Sequence, residues 1–209
     1  MKWLAYLMIA LGLCTMIYPK AKSMYYTYQE QQLLESWEED DDYSVIQQSY
    51  QQLDDTFLDN KSRQKNTVES PEMKNGIVGK LEINSIQLTI PIMEGASQAN
   101  LKVAAGQLTG TSPIGEAGNT AIAAHRSYTY GKQFNRLTEV EVGDPIIIET
   151  NSKKLIYKMI DKTIVKPDDL SVLKQNGTES ILTLITCHPM KNPTHRYIVR
   201  AVLEKEEVF

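Results

Sequence analysis

Short alternating or apolar runs separated by turn residues fill the chain after Asn75, and they constrain its fold more than any other feature. A period of two buries one face of a strand, and many short strands of this kind are typical of an all-β barrel or sandwich. We predict strands at Ile77–Ile83, Leu88–Met93, Thr120–His125, Pro145–Thr150, Lys154–Val165, Ser180–Cys187 and Arg196–Leu203, with helical turns near Gln98–Ala105 and Gln133–Leu137.

Size and charge narrow the possible classes of protein. A chain of 209 residues that is 42% apolar can bury one core, with room left for appendages rather than for a second domain. Its formal net charge of -4 argues against a nucleic-acid partner, because phosphate binding needs clustered Lys and Arg. The two cysteines, Cys14 and Cys187, offer no zinc-ligand spacing, so we expect neither a metal nor a cofactor.

The uncharged run from Trp3 to Tyr18, flanked by Lys2, Lys20 and Lys22, is typical of a membrane-directed segment. As a helix it covers about 24 Å, a little less than the roughly 30 Å hydrocarbon core of a bilayer. Interfacial aromatic residues and snorkelling lysines can make up the difference. We predict a transmembrane anchor over residues 1–22, with a cleaved signal peptide as the alternative.

Residues 23–75 are expected to form an acidic stalk and a linker. No Lys or Arg occurs between Met24 and Asn60, where Asp and Glu accumulate among many glutamines, a composition that favours a solvated segment. Ile46, Tyr50 and Phe57 recur at helical spacing, so the stalk is predicted to be partly helical. The folded catalytic unit is then predicted to occupy residues 76–209.

Cys187 ends a strongly apolar strand and is the candidate nucleophile. A thiol needs a nearby base or cation to become a thiolate, and acyl transfer needs a donor that stabilises the oxyanion. His125, at the end of another strand, and Arg196, at the start of the last one, can fill these roles. Arg200 shares a strand face with Arg196 and competes for the same role, whereas the neighbour His188 points to the opposite face from Cys187.

Three motifs resemble those of the sortases, in the same order along the chain. Thr183–Cys187 is similar to the TLxTC signature, Asn119–Arg126 to the histidine strand, and His195–Ala201 to the closing strand that carries an arginine. The opening strands, Val78–Ile83 and Ile90–Ile92, also match the family pattern, and the resemblance spans about Asn75 to Leu203. It implies a mostly β fold with an eight-stranded barrel and short helices.

The resemblance also implies an activity and a site. Cys187 attacks the threonine carbonyl of an LPxTG-like sorting signal, and His125 protonates the leaving amine and later deprotonates the incoming one. Arg196 holds the substrate carbonyl and its oxyanion, with Thr186 contributing to substrate binding. The implied partners are surface proteins that bear sorting signals and an amine of a peptidoglycan precursor, with the barrel outside a membrane that the N-terminal helix spans.

Three alternatives stay open at this point. The chain resembles a pilus-polymerising sortase less, because no Asp-Pro-aromatic lid motif precedes the barrel and no apolar segment lies near Phe209. The stretch Ser97–Asn100 lacks the acidic residues of the calcium-activated class, and the connection Lys166–Glu179 is too short for the extra helix of the class that handles haem-uptake proteins. By resemblance, class D fits these absences best. The other two hypotheses are a peptidase that only hydrolyses and a membrane-anchored binding protein in which Cys187 is a core residue.

Overall fold

A computed structural model describes residues 3, 6, 8, 18, 20–22, 24–34, 76–174 and 178–209 of the chain. Most of the predicted anchor and residues 35–75 of the predicted stalk and linker lie outside these residues. No helix within the described part is long and apolar enough to cross a membrane.

Eight strands in the described part close into a barrel in the order β1-β2-β3-β4-β7-β8-β6-β5. The pairs β2/β3 and β4/β7 are parallel, and the other pairs are antiparallel. The predicted eight-stranded barrel is therefore confirmed. The strands are β1 Ile77–Ile83, β2 Leu88–Glu94, β3 Ala105–Gln107, β4 Gly118–Ala123, β5 Pro145–Glu149, β6 Lys153–Val165, β7 Ser180–His188 and β8 His195–Val208.

Short 3-10 turns join some of these strands. The two predicted helical turns are present as Asn100–Lys102 and Phe134–Glu139, and two further ones are Asn84–Ile86 and Leu170–Leu173. Strand β3 was not predicted, because three residues are too few to show an alternating pattern. Strand β8 continues five residues past the predicted end at Leu203, where its charged side chains pair with those of β6, for example Lys153 Nζ with Glu206 Oε1 at 2.9 Å.

Strand β7 lies between β4 and β8 in the barrel. It is buried on both faces because a separate apolar cluster packs on each face. Leu182 and Leu184 belong to the main cluster, which draws on strands all round the barrel and is its interior. Ile185 and Cys187 belong to a smaller cluster with Ala121 and Ala123 of β4. Successive side chains of a strand point to opposite faces, so this second cluster lies on the outer face of the sheet.

Residues 24–34 are helical and pack against the barrel, which differs from the solvated stalk that the acidic composition suggests. Leu33 is only 1% exposed and lies in a cluster with Ile77, Met93 and other apolar residues of the barrel. Glu30 Oε2 also lies 3.6 Å from Lys132 Nζ. A buried leucine and an ion pair are thus among the contacts that hold this helix on the barrel.

Candidate active site

The candidate site lies at the end of three neighbouring strands, β4, β7 and β8. Strands β4 and β7 run in parallel with Ala123 opposite Ile185. The pairing continues past β4, because the Ala124 amide donates to the Ile185 carbonyl at 3.1 Å. Continued for two residues, the same register predicts that His125 lies alongside Cys187.

Cys187 is a free cysteine that is 8% exposed, on the outer face of β7. Burial raises the pKa of its thiol, and the positive charges of Arg196 and Arg126 oppose this rise. Burial therefore has the larger effect, and the resting form at neutral pH is the thiol. The two guanidinium groups lower the cost of forming the thiolate.

Arg196 stands directly opposite Cys187 in the antiparallel pairing of β7 with β8, so their side chains share the outer face. It is 6% exposed, and its Nη1 donates to the His195 carbonyl at 3.4 Å. Arg200 shares that face but pairs with Thr183, four residues farther along the strand, or about 13 Å at 3.3 Å per residue. Its guanidinium forms an ion pair with Asp161 of β6, so the geometry favours Arg196 as the donor beside the thiol.

His125 is half-buried just after β4, and its own carbonyl accepts a hydrogen bond from the Phe134 amide at 3.1 Å. Burial lowers the pKa of its imidazole, and the positive charge of Lys102 lowers it further. The imidazole is therefore neutral at rest, as the thiol is. A neutral pair of this kind becomes reactive when the proton moves from sulfur to nitrogen.

Thr186 lies on the opposite face of β7 from Cys187 and is fully buried. Its Oγ1 donates to the Ala124 carbonyl at 2.9 Å, one residue before His125. The structure thus gives Thr186 a contact that holds the end of β4 against β7, and the binding of substrate by its hydroxyl stays a prediction. A direct contact with substrate would need this side chain to reach around its own strand.

Arg126 was given no role by the sequence, yet its positive charge lowers the pKa of the Cys187 thiol. Its Nη1 lies 3.1 Å from His188 Nδ1, and its Nη2 donates to Thr138 Oγ1 at 3.3 Å. The position of His188 agrees with the expectation that it faces away from Cys187. The His-Arg dipeptide was visible in the sequence, but only the parallel pairing of β4 with β7 shows that its arginine acts on the nucleophile.

Asn119 and Thr183 form a second arrangement that the sequence did not reveal. Thr183 Oγ1 donates to Asn119 Oδ1 at 2.8 Å, and Asn119 Nδ2 donates to the carbonyl of Val172 at 2.9 Å. Val172 packs against the outer-face cluster that contains Cys187. These bonds therefore attach the loop between β6 and β7 to the outer face of the sheet, four residues before Cys187 along β7.

The register of β4, β7 and β8, with the alternation of strand side chains, thus predicts that the Cys187 sulfur, the His125 imidazole and the Arg196 guanidinium share the outer face of the barrel. No group of three or more His, Cys, Asp or Glu residues that could hold a metal ion occurs in the described part of the chain. The arrangement provides what covalent acyl transfer requires: a nucleophile, an acid-base group and an oxyanion donor. The fold and the site together define a β-barrel protein of the cysteine acyl-transfer class.

A family model for the sortase domain matches residues 81–204. The match covers more than half of the chain, which therefore belongs to the sortase family, whose members are cysteine transpeptidases.

Individual relatives agree with this. Sortase A of Bacillus anthracis is 29% identical over 126 residues, which are 60% of this chain and 59% of the relative. Sortase D of Bacillus subtilis is 29% identical over 124 residues, 58% of this chain and 61% of the relative. The solved structure of a sortase D5 transpeptidase of Clostridium perfringens matches with a TM-score of 0.63 and 27% identity, over 85% of this chain and 99% of that one. The chain spans less than two thirds of the length of the curated relatives that it matches.

Proposed function

We propose that the chain is a membrane-anchored cysteine transpeptidase that cleaves an LPxTG-like sorting signal at its threonine and transfers the protein to a cell-wall amine. The observation that supports the proposal is the register of β4, β7 and β8, in which Arg196 stands opposite Cys187 and from which, continued two residues past β4, we infer that His125 lies beside Cys187. Family membership supports the same chemistry. The N-terminal apolar run would anchor the chain in a single pass, with the barrel on the extracellular face.

In the first half-reaction the Cys187 thiolate attacks the carbonyl carbon of the threonine, and the electrons of the C=O bond move onto oxygen. The Arg196 guanidinium donates to this oxyanion. The tetrahedral intermediate then expels the amine that follows the threonine, which takes its proton from the His125 imidazolium. A thioester on Cys187 and a neutral imidazole remain.

In the second half-reaction His125 accepts a proton from the incoming amine as its nitrogen attacks the thioester carbon. The C–S bond breaks after a second oxyanion, again stabilised by Arg196. The sulfur leaves as a thiolate, so the thiolate and the imidazolium are restored together. Water in place of the amine gives hydrolysis.

The test is to incubate the 209-residue chain with a sorting-signal peptide, with and without an amine acceptor, and to follow products by mass spectrometry. We expect a thioacyl adduct on Cys187 and an amide product that appears only with the amine. Free acid as the sole product in both arms would make the chain a peptidase. A Cys187→Ala variant that still yields product would show that the thiol is only a core residue, and products longer than one acceptor unit with pilin substrates would indicate the pilus-type activity.

A further inference from the structure

His188 follows Cys187 in β7, and its side chain lies on the opposite face of the sheet from the thiol. On that face its Nδ1 lies 3.1 Å from Nη1 of Arg126. A guanidinium only donates hydrogen bonds, so Nδ1 must accept this one, and the imidazole is neutral with its proton on Nε2. The bond thus joins the residue after the candidate nucleophile to the residue after His125.

Arg126 has few other contacts. Its Nη2 donates to Thr138 Oγ1 at the longer distance of 3.3 Å, and its buried Nε has no hydrogen-bond partner among the described residues. No ion pair in the described part of the chain includes Arg126. Two neutral side chains therefore hold this guanidinium, and no carboxylate in that part of the chain pairs with its charge.

The His188 ring is itself supported. The ring of Tyr197, a residue of β8 that is 8% exposed, lies beside it with the centroids 6.0 Å apart. The Thr194 amide also donates to the His188 carbonyl at 3.1 Å. A ring that is supported through its backbone and by a buried aromatic side chain presents its Nδ1 in a defined direction.

The charge of Arg126 acts on the nucleophile from this position. Burial raises the pKa of the Cys187 thiol, and the charges of Arg196 and Arg126 oppose that rise. The attraction between a guanidinium and a thiolate falls with distance, so its strength depends on where the guanidinium is held. The side chain that holds Arg126 can therefore control how easily the thiolate forms.

We propose that His188 is a positioning residue, whose neutral imidazole holds the Arg126 guanidinium where its positive charge stabilises the Cys187 thiolate. The proposal rests on the proposed function, in which that thiolate is the nucleophile. His188 acts only through Arg126 and exchanges no proton with the substrate. Loss of its Nδ1 would leave a second N–H of Arg126 without a partner, which favours movement of the guanidinium away from this position.

The test is the pH dependence of alkylation by iodoacetamide in the 209-residue chain, because the thiolate is the form that reacts. Mass spectrometry of the separate peptides distinguishes Cys187 from Cys14. His188→Phe keeps a ring beside Tyr197 but has no acceptor. It should raise the thiol pKa of Cys187 by about half a unit or more, which corresponds to about threefold slower alkylation at neutral pH.

Two further variants separate positioning from packing. His188→Asn offers an amide oxygen close to the position of Nδ1, so it should restore the thiol pKa of the unaltered chain. His195→Phe is the matched control, because His195 stands opposite His188 in the pairing of β7 with β8. Its Nδ1 bonds to Thr194 Oγ1 rather than to Arg126, so this variant should leave the thiol pKa unchanged.

Arg126→Gln shows whether the effect of His188 passes through the guanidinium. In that background His188→Phe should raise the thiol pKa of Cys187 no further, because the charge is already absent. An unchanged pKa with His188→Phe alone, or an equal rise with and without Arg126, would overturn the proposal. If His188→Phe does not fold, a pKa raised by half a unit or more in His188→Asn would also overturn it. Absence of a thioacyl adduct with a sorting-signal peptide would instead overturn the proposed function, since alkylation needs no peptide.

Discussion

Thr183→Val tests whether the buried bonds around Asn119 hold the sheet and its neighbouring loop together. Valine keeps the shape of threonine but removes the hydroxyl that donates to Asn119 Oδ1 at 2.8 Å. Both side chains are almost completely buried, so the oxygen loses its donor with little access to water. Leaving a buried acceptor unsatisfied costs about 1–3 kcal/mol, a large part of the 5–15 kcal/mol stability of a typical domain.

Asn119→Ala should cost more than Thr183→Val, because it also removes the donations to the carbonyls of Val172 at 2.9 Å and Lys174 at 3.4 Å. The free energy of unfolding, measured by chemical denaturation of both single variants and the double variant, should show a coupling energy of at least about 0.5 kcal/mol. Thr163→Val, at an exposed position of β6, is the matched control and should stay within about 0.5 kcal/mol.

Release of the loop should also change catalysis in a specific way. Val172 packs on the cluster around Cys187, so Asn119→Ala should raise the KM for the sorting-signal peptide while the alkylation rate of the thiol changes little. The reasoning is refuted if Thr183→Val costs less than about 0.5 kcal/mol, or if Asn119→Ala leaves the peptide KM unchanged.

Three further predictions concern the charges at the site. Arg196→Lys should lower kcat by about 10²-fold in a peptide-cleavage assay, because a point charge does not reproduce the guanidinium fork. The control Arg200→Lys should leave kcat within about threefold of the unaltered chain. The reverse order would assign the oxyanion donor to Arg200. The rate of peptide cleavage, plotted against pH, should be bell-shaped: the lowered pKa of His125 sets the acid limb and the raised pKa of Cys187 sets the alkaline limb. A rate that only rises with pH would contradict a resting state in which the thiol and the imidazole are both neutral. Arg126→Gln should move the thiol pKa, followed by the pH dependence of alkylation, to higher values, and an unchanged profile would show that this guanidinium does not act on the sulfur.

Strand positions were predictable wherever one face of a strand is buried along its whole length. The alternating burial of Ile77–Ile83 matches the alternation of its sequence, and the predicted bounds of β1 are those observed. The end of β8 was not predictable in this way. Its residues after Leu203 are mostly charged, and only their partners on β6 make them a strand.

The candidate catalytic residues could be predicted from the sequence, but the contacts of the residues around them could not. A strand that ends in Cys187 and a strand that begins near Arg196 are joined by few residues, so an antiparallel pair that places them side by side follows from the spacing. The contacts of Arg126 and Asn119 depend instead on the parallel pairing of β4 with β7, whose residues lie far apart in the chain. Local sequence carries no signal for such contacts.

The two guanidinium groups around the thiol have different capacities during the reaction. Attack on the carbonyl moves one negative charge from sulfur to an oxygen two bonds away, and the total charge of the site does not change. Arg196 shares the outer face with Cys187, where the substrate carbonyl must lie, so it can stabilise both the thiolate and the oxyanion. Arg126 is held instead by His188, whose neighbour in the strand is Cys187, and by Thr138, so we expect it to act on the sulfur rather than on the oxyanion. Loss of Arg126 should therefore make the thiolate less stable, whereas loss of Arg196 should make both the thiolate and the transition state less stable.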